Sequence, residues 1–355
     1  MNKRIHYIDN LRWITVSLLI VYHAALAYNT WGEANYIFFE EIKPFAAIVS
    51  FISPWFMPLM FLLAGVSARF SLQKRSMGGF IRERFLRIGI PFVFGLIAID
   101  PILSFIADVS HNSYGGNYFE HYGVFFSKFT DLTGYDGGFT LGHFWFLGVL
   151  MIVSLLSCVI IKLIGEVKDG SRKKTVIGIV LAVIAAAAFD ISFFGKRIPT
   201  YLCVFLLGYY IFSDRDFVKK LSGYKLPLTV MFLITCTANT VLFIFIGRFG
   251  AVNTVCNYAS FVFALPAIIC IGHDHLDFTG RFSGFNSKVS YMFYILHFPA
   301  VILCQYFLSL ADIGCIANFF ITAAVCYPLT YLLCILVGKT RYIRVLFGSR
   351  PKTAK

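Results

Sequence analysis

The first hydrophobic segment of the chain contains an arginine and a histidine, Arg12 and His23, at positions eleven residues apart. At about 100° and 1.5 Å per residue, this spacing places both side chains on nearly the same helix face, roughly 16 Å apart along the axis. Ionisable residues inside a membrane span are costly and are usually functional. A cation near one membrane surface and a titratable base at depth suit a long, charged substrate that enters from one side.

The histidine of this pair has the chemistry of a general base. Histidine titrates near neutral pH, so His23 can take a proton from a hydroxyl and pass it to a leaving group. A guanidinium does not deprotonate, so we expect Arg12 to position a site or bind a ligand. Asp9 lies three residues earlier and can pair with Arg12 on one helix face. The alternatives are a buried histidine hydrogen-bonded across a helix bundle and a snorkelling arginine that only anchors the helix.

Three further arginines, Arg82, Arg84 and Arg87, are candidates for binding phosphate groups. Arg84 and Arg87 are three residues apart, so they lie side by side if this stretch begins a helix, whereas Arg82 lies elsewhere on the circumference. Paired guanidinium groups bind phosphates bidentately. The alternative is that these arginines only follow the positive-inside rule, which places basic residues on the cytoplasmic side of a membrane protein.

The longest predicted outer segment, residues 108–141, is rich in Gly, Tyr, Asn, Asp and His. Long loops tend to be lids or binding segments. Aromatic rings interleaved with hydroxyl, amide and carboxylate groups suit the face of a sugar, which stacks and forms hydrogen bonds. The alternative is that the tyrosines anchor the segment at the membrane interface and the other residues form ordinary turns.

The elements that must position these residues are membrane helices. Hydrophobic residues make up 58% and charged residues 14% of the chain, with a mean hydropathy of +0.76, whereas soluble proteins have about 25% charged residues. We therefore predict an all-α, polytopic membrane helix bundle. The predicted spans, about ten in number, are residues 11–29, 45–70, 86–107, 142–164, 176–191, 198–213, 227–247, 252–272, 290–310 and 315–338. Several of them reach the roughly 20 residues needed to cross a bilayer, and the fifth and sixth are shorter.

The distribution of basic residues predicts the orientation of these helices. With the N-terminus inside, nearly all of the 31 Lys and Arg residues fall in cytoplasmic segments. The exceptions are Lys43, Lys128, Lys196, Arg197 and Arg248. The positive-inside rule then places both termini in the cytoplasm, with residues 1–338 as one membrane domain and 339–355 as a basic tail. This topology explains the net charge of +13 without a nucleic-acid partner.

Other types of functional site lack support in the sequence. The nine cysteines lie almost entirely in apolar spans and form no CxxC pair, so we interpret them as small buried hydrophobic residues. We find no Walker loop, no GxGxxG motif and no HExxH motif, and we expect no metal site.

Several separated segments together resemble the acyltransferase-3 family of integral membrane acyltransferases. The hallmark of that family is an arginine followed, after ten intervening residues, by a histidine in the first helix, as Arg12 is by His23. The other matching segments, in the same order as in the family, are residues 55–65, 84–91, 142–147 and 290–299. The chain departs from the family pattern at Asn10, where many members have Gly, and at Ala64, where Ser is common. Its opening segments are similar to the glucan-modifying branch.

The resemblance implies a membrane O-acyltransferase of the bacterial-type inner (plasma) membrane. It would move an acetyl or succinyl group from cytoplasmic acyl-CoA to a hydroxyl of a cell-envelope glycan or polysaccharide. It implies catalysis by His23 and Arg12 with support from Asp9. The arginines expected to bind the coenzyme phosphates are Arg82, Arg84 and Arg87. The residues expected to bind the acceptor or line the cavity are His143, Trp145, Tyr294 and His297. Trp145 could instead be an interfacial belt residue, and Tyr294 and His297 a structural hydrogen-bonded pair.

We expect a cavity lined by the first, second, fourth and ninth spans. The donor would enter from the cytoplasm, between the first helix and the arginine segment, and the acceptor would approach beneath residues 108–141. Direct transfer is the simplest reaction, and a covalent acyl-histidine intermediate is the alternative. Three other functions fit the same features: a proton-coupled secondary transporter or flippase, a sensor without catalysis, and an acyltransferase acting on a lipid or small molecule.

Overall fold

The computed structural model describes residues 5–165, 178, 195–247, 250–311, 313–340 and 342–349. No strand occurs among these residues, so the predicted all-α class is confirmed. The first eight α-helices are α1 (His6–Leu26), α2 (Lys43–Ile52), α3 (Phe56–Leu72), α4 (Met77–Arg84), α5 (Ile90–Ala98), α6 (Asp100–Asn112), α7 (Tyr118–Ser127) and α8 (Trp145–Ile164). The others are α9 (Ile198–Leu207), α10 (Arg215–Ser222), α11 (Lys225–Thr240), α12 (Ala251–His275), α13 (Arg281–Leu310), α14 (Cys315–Lys339) and α15 (Ile343–Leu346).

In the part of the chain that the structure describes, four short helical segments adjoin these α-helices. Three are π-helical, with wider turns than an α-helix, and one is a 3₁₀ turn. The π-helical segments are Phe85–Gly89, Gly208–Phe212 and Val241–Ile246, and the 3₁₀ turn is Gly142–Phe144.

Seven helical stretches of the described chain are long and apolar enough to cross a membrane. These are Lys43–Leu72, Met77–Asn112, Gly142–Ile164, Lys225–Ile246, Ala251–His275, Arg281–Leu310 and Cys315–Lys339. The stretch Ile198–Phe212 is apolar but shorter, and α1 is not among the seven. The predicted span 176–191 lies outside the described residues. The predicted count of about ten is therefore not confirmed, although a multi-pass membrane bundle is.

The predicted second and third spans are each composed of several helices. Residues 53–55 separate α2 from α3, and a π-helical segment separates α4 from α5. Pro91 and Pro101 lie in the first turns of α5 and α6. Proline lacks an N–H group and is tolerated in the first turn, where that group has no helical partner. These breaks allow Asp100 to begin a new helix within one long apolar stretch.

The chain divides into two compact units. Unit one comprises Met1–Trp13, Ser53–Phe85 and Val149–Ser287, and unit two comprises Ile14–Ile52, Leu86–Gly148 and Lys288–Lys355. In unit one, α3 and α9 contact each other through glycine. A Cβ on Gly65 would lie 2.0 Å from the carbonyl oxygen of Phe205, and one on Gly208 would lie 2.2 Å from that of Leu62. Small residues thus let two apolar helical stretches approach closely.

The core of unit two lies where α6, α13 and the chain between α1 and α2 meet. Each of its central residues is at most 3% exposed. They are Tyr36, Ile37, Leu103, Ile106, Ala107, Phe298 and Ile302. Two side chains of this core, Tyr36 and Phe298, connect it to the candidate site.

Candidate functional site

Three histidines from separate parts of the sequence meet in unit two. His23 lies in the last turn of α1, His143 in the 3₁₀ turn before α8, and His297 in the middle of α13. The ring centroid of His297 is 5.3 Å from that of His23 and 5.5 Å from that of His143. The ring of Phe298 packs against His23 at 4.2 Å and against His143 at 5.2 Å. The structure therefore brings together three of the histidines that the sequence singled out.

Hydrogen bonds to the backbone of α1 connect this helix to α13 and α14. Gln305 donates its side-chain N–H to the backbone carbonyl of Ala24 at 3.0 Å. The hydroxyl of Tyr327 donates to the backbone carbonyl of Ser17 at 2.8 Å. Because Ala24 is adjacent to His23, the first of these bonds fixes the turn that presents the histidine. The helix ends at Leu26, slightly before the predicted bound at residue 29. The depth of His23 in a bilayer stays a prediction.

A proline inside α13 explains how His143 is oriented. Pro299 has no backbone N–H to donate to the carbonyl four residues earlier. The carbonyl oxygen of Ile295 therefore lacks its usual hydrogen bond within the helix. The Nε2 atom of His143 lies 3.0 Å from this oxygen. Since a carbonyl only accepts, Nε2 carries the proton and the neutral ring has its lone pair on Nδ1. The backbone irregularity of one helix thereby selects the tautomer of a histidine on another element.

Each of the three histidines has a buried ring nitrogen without a hydrogen-bond partner among the described residues. These atoms are Nδ1 of His23, Nδ1 of His143 and Nε2 of His297. The other nitrogen of His297 lies 2.6 Å from the carbonyl oxygen of Tyr294, to which it donates. Buried polar groups are nearly always paired in proteins, so three unpaired nitrogens in one cluster need an explanation. The free nitrogens of His143 and His297 carry a lone pair and can accept a proton or a hydrogen bond from a hydroxyl group, and Nδ1 of His23 can do the same when the proton of its ring is on Nε2.

Tyr294 positions His143 through the backbone. Its hydroxyl donates to the carbonyl oxygen of His143, and its ring centroid lies 5.9 Å from that of His297. Tyr294 is also joined to His297, whose ring donates to the Tyr294 backbone carbonyl, so the structural pair considered above stays open beside a role in lining the cavity. Trp145 begins α8 and its ring lies 6.3 Å from that of Phe146. A role for Trp145 in acceptor binding stays a prediction.

The predicted outer segment 108–141 packs onto the histidine cluster through two aromatic rings. Tyr135 contacts Tyr36 at 5.2 Å, and Tyr36 contacts Phe298 at 5.5 Å. The hydroxyl of Tyr36 lies 3.0 Å from the hydroxyl of Thr140, and that of Tyr135 donates to Glu33 at 2.6 Å. Residues 27–42 thus form the inner layer of this cover, although residues 27–29 were predicted as the end of the first span and residues 30–42 as part of the connection to the second. Their buried Asn29 and Tyr36 are the signals that sequence reasoning missed.

The short helix α7 lies within the same segment, residues 108–141, and is held by a helix cap and by a contact with Asp108. Asn117 caps α7 by accepting from the N–H groups of Phe119 and Glu120. His121, on α7, lies 3.1 Å from a carboxylate oxygen of Asp108. Burial lowers the pKa of His121 below its ordinary value, although the Asp108 carboxylate opposes this effect. The segment is therefore an ordered part of unit two.

Asp100 is a buried acidic residue that sequence reasoning did not assign. It is 0% exposed, and neither carboxylate oxygen has a hydrogen-bond partner among the described residues. It adjoins Gly142, the residue before His143, since a Cβ on Gly142 would lie 2.4 Å from its Oδ1. An acidic residue within a predicted span, followed by proline, was the available signal.

Arg12 belongs to unit one and is held by two neighbours. Its guanidinium forms an ion pair with Asp9 at 3.0 Å and donates to the hydroxyl of Ser67 at 2.7 Å. The adjacent Asn10 donates to the carbonyls of Leu276 and of Phe278. Asn10 therefore ties α1 to the chain after α12 where many members of the acyltransferase-3 family have glycine.

Comparison with known families decides the class of protein. The family model described as the acyltransferase domain of acyltransferase-3 matches residues 5–339, nearly the entire chain. The chain belongs to the acyltransferase-3 family. No curated protein and no solved structure gives a significant match. Family membership and the apolar helices together identify a multi-pass membrane acyltransferase.

The arginines that this acyltransferase would use for phosphate lie around a change in helix type. Arg84 ends α4, with its guanidinium 4.6 Å from the ring centroid of Phe80, and Arg82 is exposed. Arg87 is exposed and lies inside the π-helical segment. The side-by-side arrangement of Arg84 and Arg87 was inferred from α-helical spacing, which the chain does not keep between them. Phosphate binding at all three stays a prediction.

Within the described ranges, no group of three or more His, Cys, Asp or Glu side chains is arranged to hold a metal ion.

Proposed function

We propose that this acyltransferase transfers an acetyl or succinyl group from cytoplasmic acyl-CoA to a hydroxyl of a cell-envelope glycan, with His23 as the general base. The observation that supports this proposal most strongly is the cluster of three buried histidines with unpaired ring nitrogens in a chain of the acyltransferase-3 family. Acyl transfer to a hydroxyl requires a base, and the cluster offers neutral imidazoles at the place where three helical elements meet.

The proposed reaction is a direct transfer. His23 removes the proton of the acceptor hydroxyl, and the oxygen attacks the carbonyl carbon of the thioester. The C–O bond forms, the C–S bond breaks, and the proton taken by His23 passes to the departing thiolate to give free CoA. A covalent acyl-histidine would require the same histidine as nucleophile, and isolation of an acylated enzyme distinguishes the two routes.

Arg12 and Asp9 are proposed to serve the donor. The guanidinium keeps its positive charge and is fixed by the Asp9 carboxylate and the Ser67 hydroxyl, so it is preorganised to bind an anionic group. Arg82, Arg84 and Arg87 are proposed to bind the coenzyme phosphates. The positive-inside rule favours a cytoplasmic position for this basic segment, which is where acyl-CoA is found.

The acceptor is proposed to bind in unit two, at the outer end of the histidine cluster. His143 would orient the reacting sugar through its free Nδ1 atom, and His297 would line the cavity. Tyr135 and Tyr36 support this position, since aromatic rings covering a polar cluster suit the mixed apolar and hydroxylated surface of a sugar. The similarity of the opening segments to the glucan-modifying branch favours a glucan as the acceptor.

A proton-coupled carrier is the second function that buried histidines could serve. Membership in an acyltransferase family favours the enzyme, and so does the absence of a recognisable sequence repeat.

The experiment is to follow a labelled acyl group supplied on CoA. Purified protein in nanodiscs is given labelled acetyl-CoA or succinyl-CoA with a neutral glucan, with lipid alone, or with no acceptor. We expect a new ester on the glucan that depends on one of the two donors. Ester formation on lipid alone would contradict the glycan assignment. Failure to cleave either thioester, together with glucan uptake into proteoliposomes, would favour the carrier.

A further inference from the structure

Asp100 is an exception among the buried charged groups of unit two. A carboxylate removed from water is expensive unless it is paired or hydrogen-bonded. Asp108, in the same helix, follows this rule: its two oxygens contact His121 and Asn112. Asp100 is fully buried, and both of its oxygens lack a partner in the described structure. The first turn of α6 offers it only the helix dipole.

The backbone around Asp100 approaches its carboxylate closely without hydrogen-bonding to it. Gly142 has φ +45°, a backbone conformation that residues with a side chain rarely adopt. A Cβ at this position would lie 2.4 Å from Oδ1 of Asp100. The N–H of Gly142 donates to the hydroxyl of Thr140 instead, at 2.9 Å. Glycine at this position thus provides close approach without using the carboxylate as a structural acceptor.

The carboxylate also faces the groups proposed to bind the acceptor. Gly142 directly precedes His143, whose Nδ1 is free, and the hydroxyl of Tyr36 shares Thr140 with Gly142. Burial raises the pKa of the Tyr36 hydroxyl, and the negative charge of Asp100 raises it further. Asp100 is therefore within electrostatic reach of Tyr36 as well as adjacent to the turn of His143.

We propose that Asp100 is an acceptor-binding residue that takes hydrogen bonds from two hydroxyl groups of a neutral polyol. This inference rests on the proposed function, since it specifies the substrate class at the same site. In its ionised form the carboxylate accepts hydrogen bonds, and two adjacent sugar hydroxyls that donate to its two oxygens would offset the cost of burying its charge. The bound sugar would then present a third hydroxyl to the histidines.

The test measures acceptor and donor kinetics separately. Asp100→Asn keeps the shape of the side chain and removes its charge, and Asp216→Asn is the control because Asp216 also lies in the first turn of a helix but is exposed. Hydrogen bonds to a charged group contribute strongly to binding free energy. We therefore expect the acceptor KM of Asp100→Asn to rise about 10- to 100-fold. The donor KM should stay close to that of Asp216→Asn, and the thermal midpoint should not fall below that of this control, because the unpaired buried charge is removed.

Acceptors that each lack one hydroxyl group give a second readout. Removing one hydroxyl at a time from a neutral oligosaccharide should identify two positions that raise the acceptor KM of the natural enzyme. In Asp100→Asn, removing either of these two hydroxyls should not raise the acceptor KM further. Gly142→Ala should reproduce the loss, because its methyl group would occupy the space next to Oδ1.

The outcomes separate this inference from the proposed function. An enzyme that transfers acyl groups to the glucan, but whose acceptor KM is unchanged in folded Asp100→Asn, would overturn the role of Asp100 alone. A natural enzyme that neither binds nor acylates a neutral oligosaccharide would overturn both. A rise in donor KM without a rise in acceptor KM would also contradict acceptor binding by Asp100.

Discussion

At the scale of single residues, the candidate site is defined by what each histidine donates to and what it leaves free. His143 and His297 each donate one ring N–H to a backbone carbonyl of α13, and each keeps a buried nitrogen unpaired. Sequence reasoning selected these residues by type and motif. It could not predict their tautomers, because these depend on which carbonyl the fold places within reach.

Pro299 is the residue whose effect is least evident from sequence and most readily tested. In Pro299→Ala, the new N–H can pair with the carbonyl of Ile295 inside α13 and compete with His143 for it. We expect kcat to fall by about 10- to 100-fold, because small misplacement of a catalytic group is costly. Thermal stability should not fall, since a helical hydrogen bond is gained.

The control for this substitution is Pro328→Ala, which removes the other proline of the two last membrane helices, α13 and α14. It should leave kcat unchanged. Equal kcat values for Pro299→Ala and the natural enzyme would show that the Ile295 carbonyl does not orient His143 for catalysis.

At the scale of helices, the hydropathy pattern predicted where most membrane segments lie but not how they are interrupted. The predicted span 142–164 agrees with the helical stretch Gly142–Ile164, and span 315–338 with Cys315–Lys339. The predicted span 290–310 begins earlier, at Arg281, because the polar residues before it continue the helix beyond the apolar run. Hydropathy averages cannot detect π-helical segments, since these arise from hydrogen-bond register.

The contact between α3 and α9 makes Gly65 sensitive to substitution. In Gly65→Ala, the added Cβ would meet the backbone oxygen of Phe205, which cannot move as a side chain can. Overpacking of this kind costs about 1–3 kcal/mol, so we expect a lower thermal midpoint in nanodiscs.

Gly284→Ala is the matched control for Gly65→Ala, because Gly284 lies inside α13 with open space around its Cβ position. Alanine is the better helix former, so the thermal midpoint should stay constant or rise slightly. If both variants melt alike, close approach at Gly65 does not stabilise unit one.

At the scale of the whole molecule, the sequence predicted the class of protein from composition and ordered motifs, and the family match over residues 5–339 bears out that class. It could not predict the cover formed by residues 27–42 and 108–141. That cover depends on contacts between side chains far apart in sequence, such as Tyr135 with Glu33. Asp100 was missed for the same reason, because its unpaired state is visible only when its surroundings are known.

The topology proposed for the molecule places both termini in the cytoplasm. We expect a C-terminal green fluorescent protein fusion to fluoresce and a C-terminal alkaline phosphatase fusion to be inactive, as the excess of basic residues in the inner segments requires. Insertion of alkaline phosphatase after Asp131, in the outer segment, should give activity. The reverse pattern would place the cover of the histidine cluster on the cytoplasmic side and contradict the proposed path of the acceptor.

The central claim is that His23 acts as the base in acyl transfer. The most direct test is thioester cleavage by His23→Ala in nanodiscs, with acetyl-CoA or succinyl-CoA and a neutral glucan, beside His275→Ala as an exposed histidine control. We predict that His23→Ala lowers kcat by about 10²- to 10⁴-fold while donor binding and the thermal midpoint match those of the control. Turnover within a few-fold of the natural enzyme, in a folded His23→Ala variant, would contradict the account.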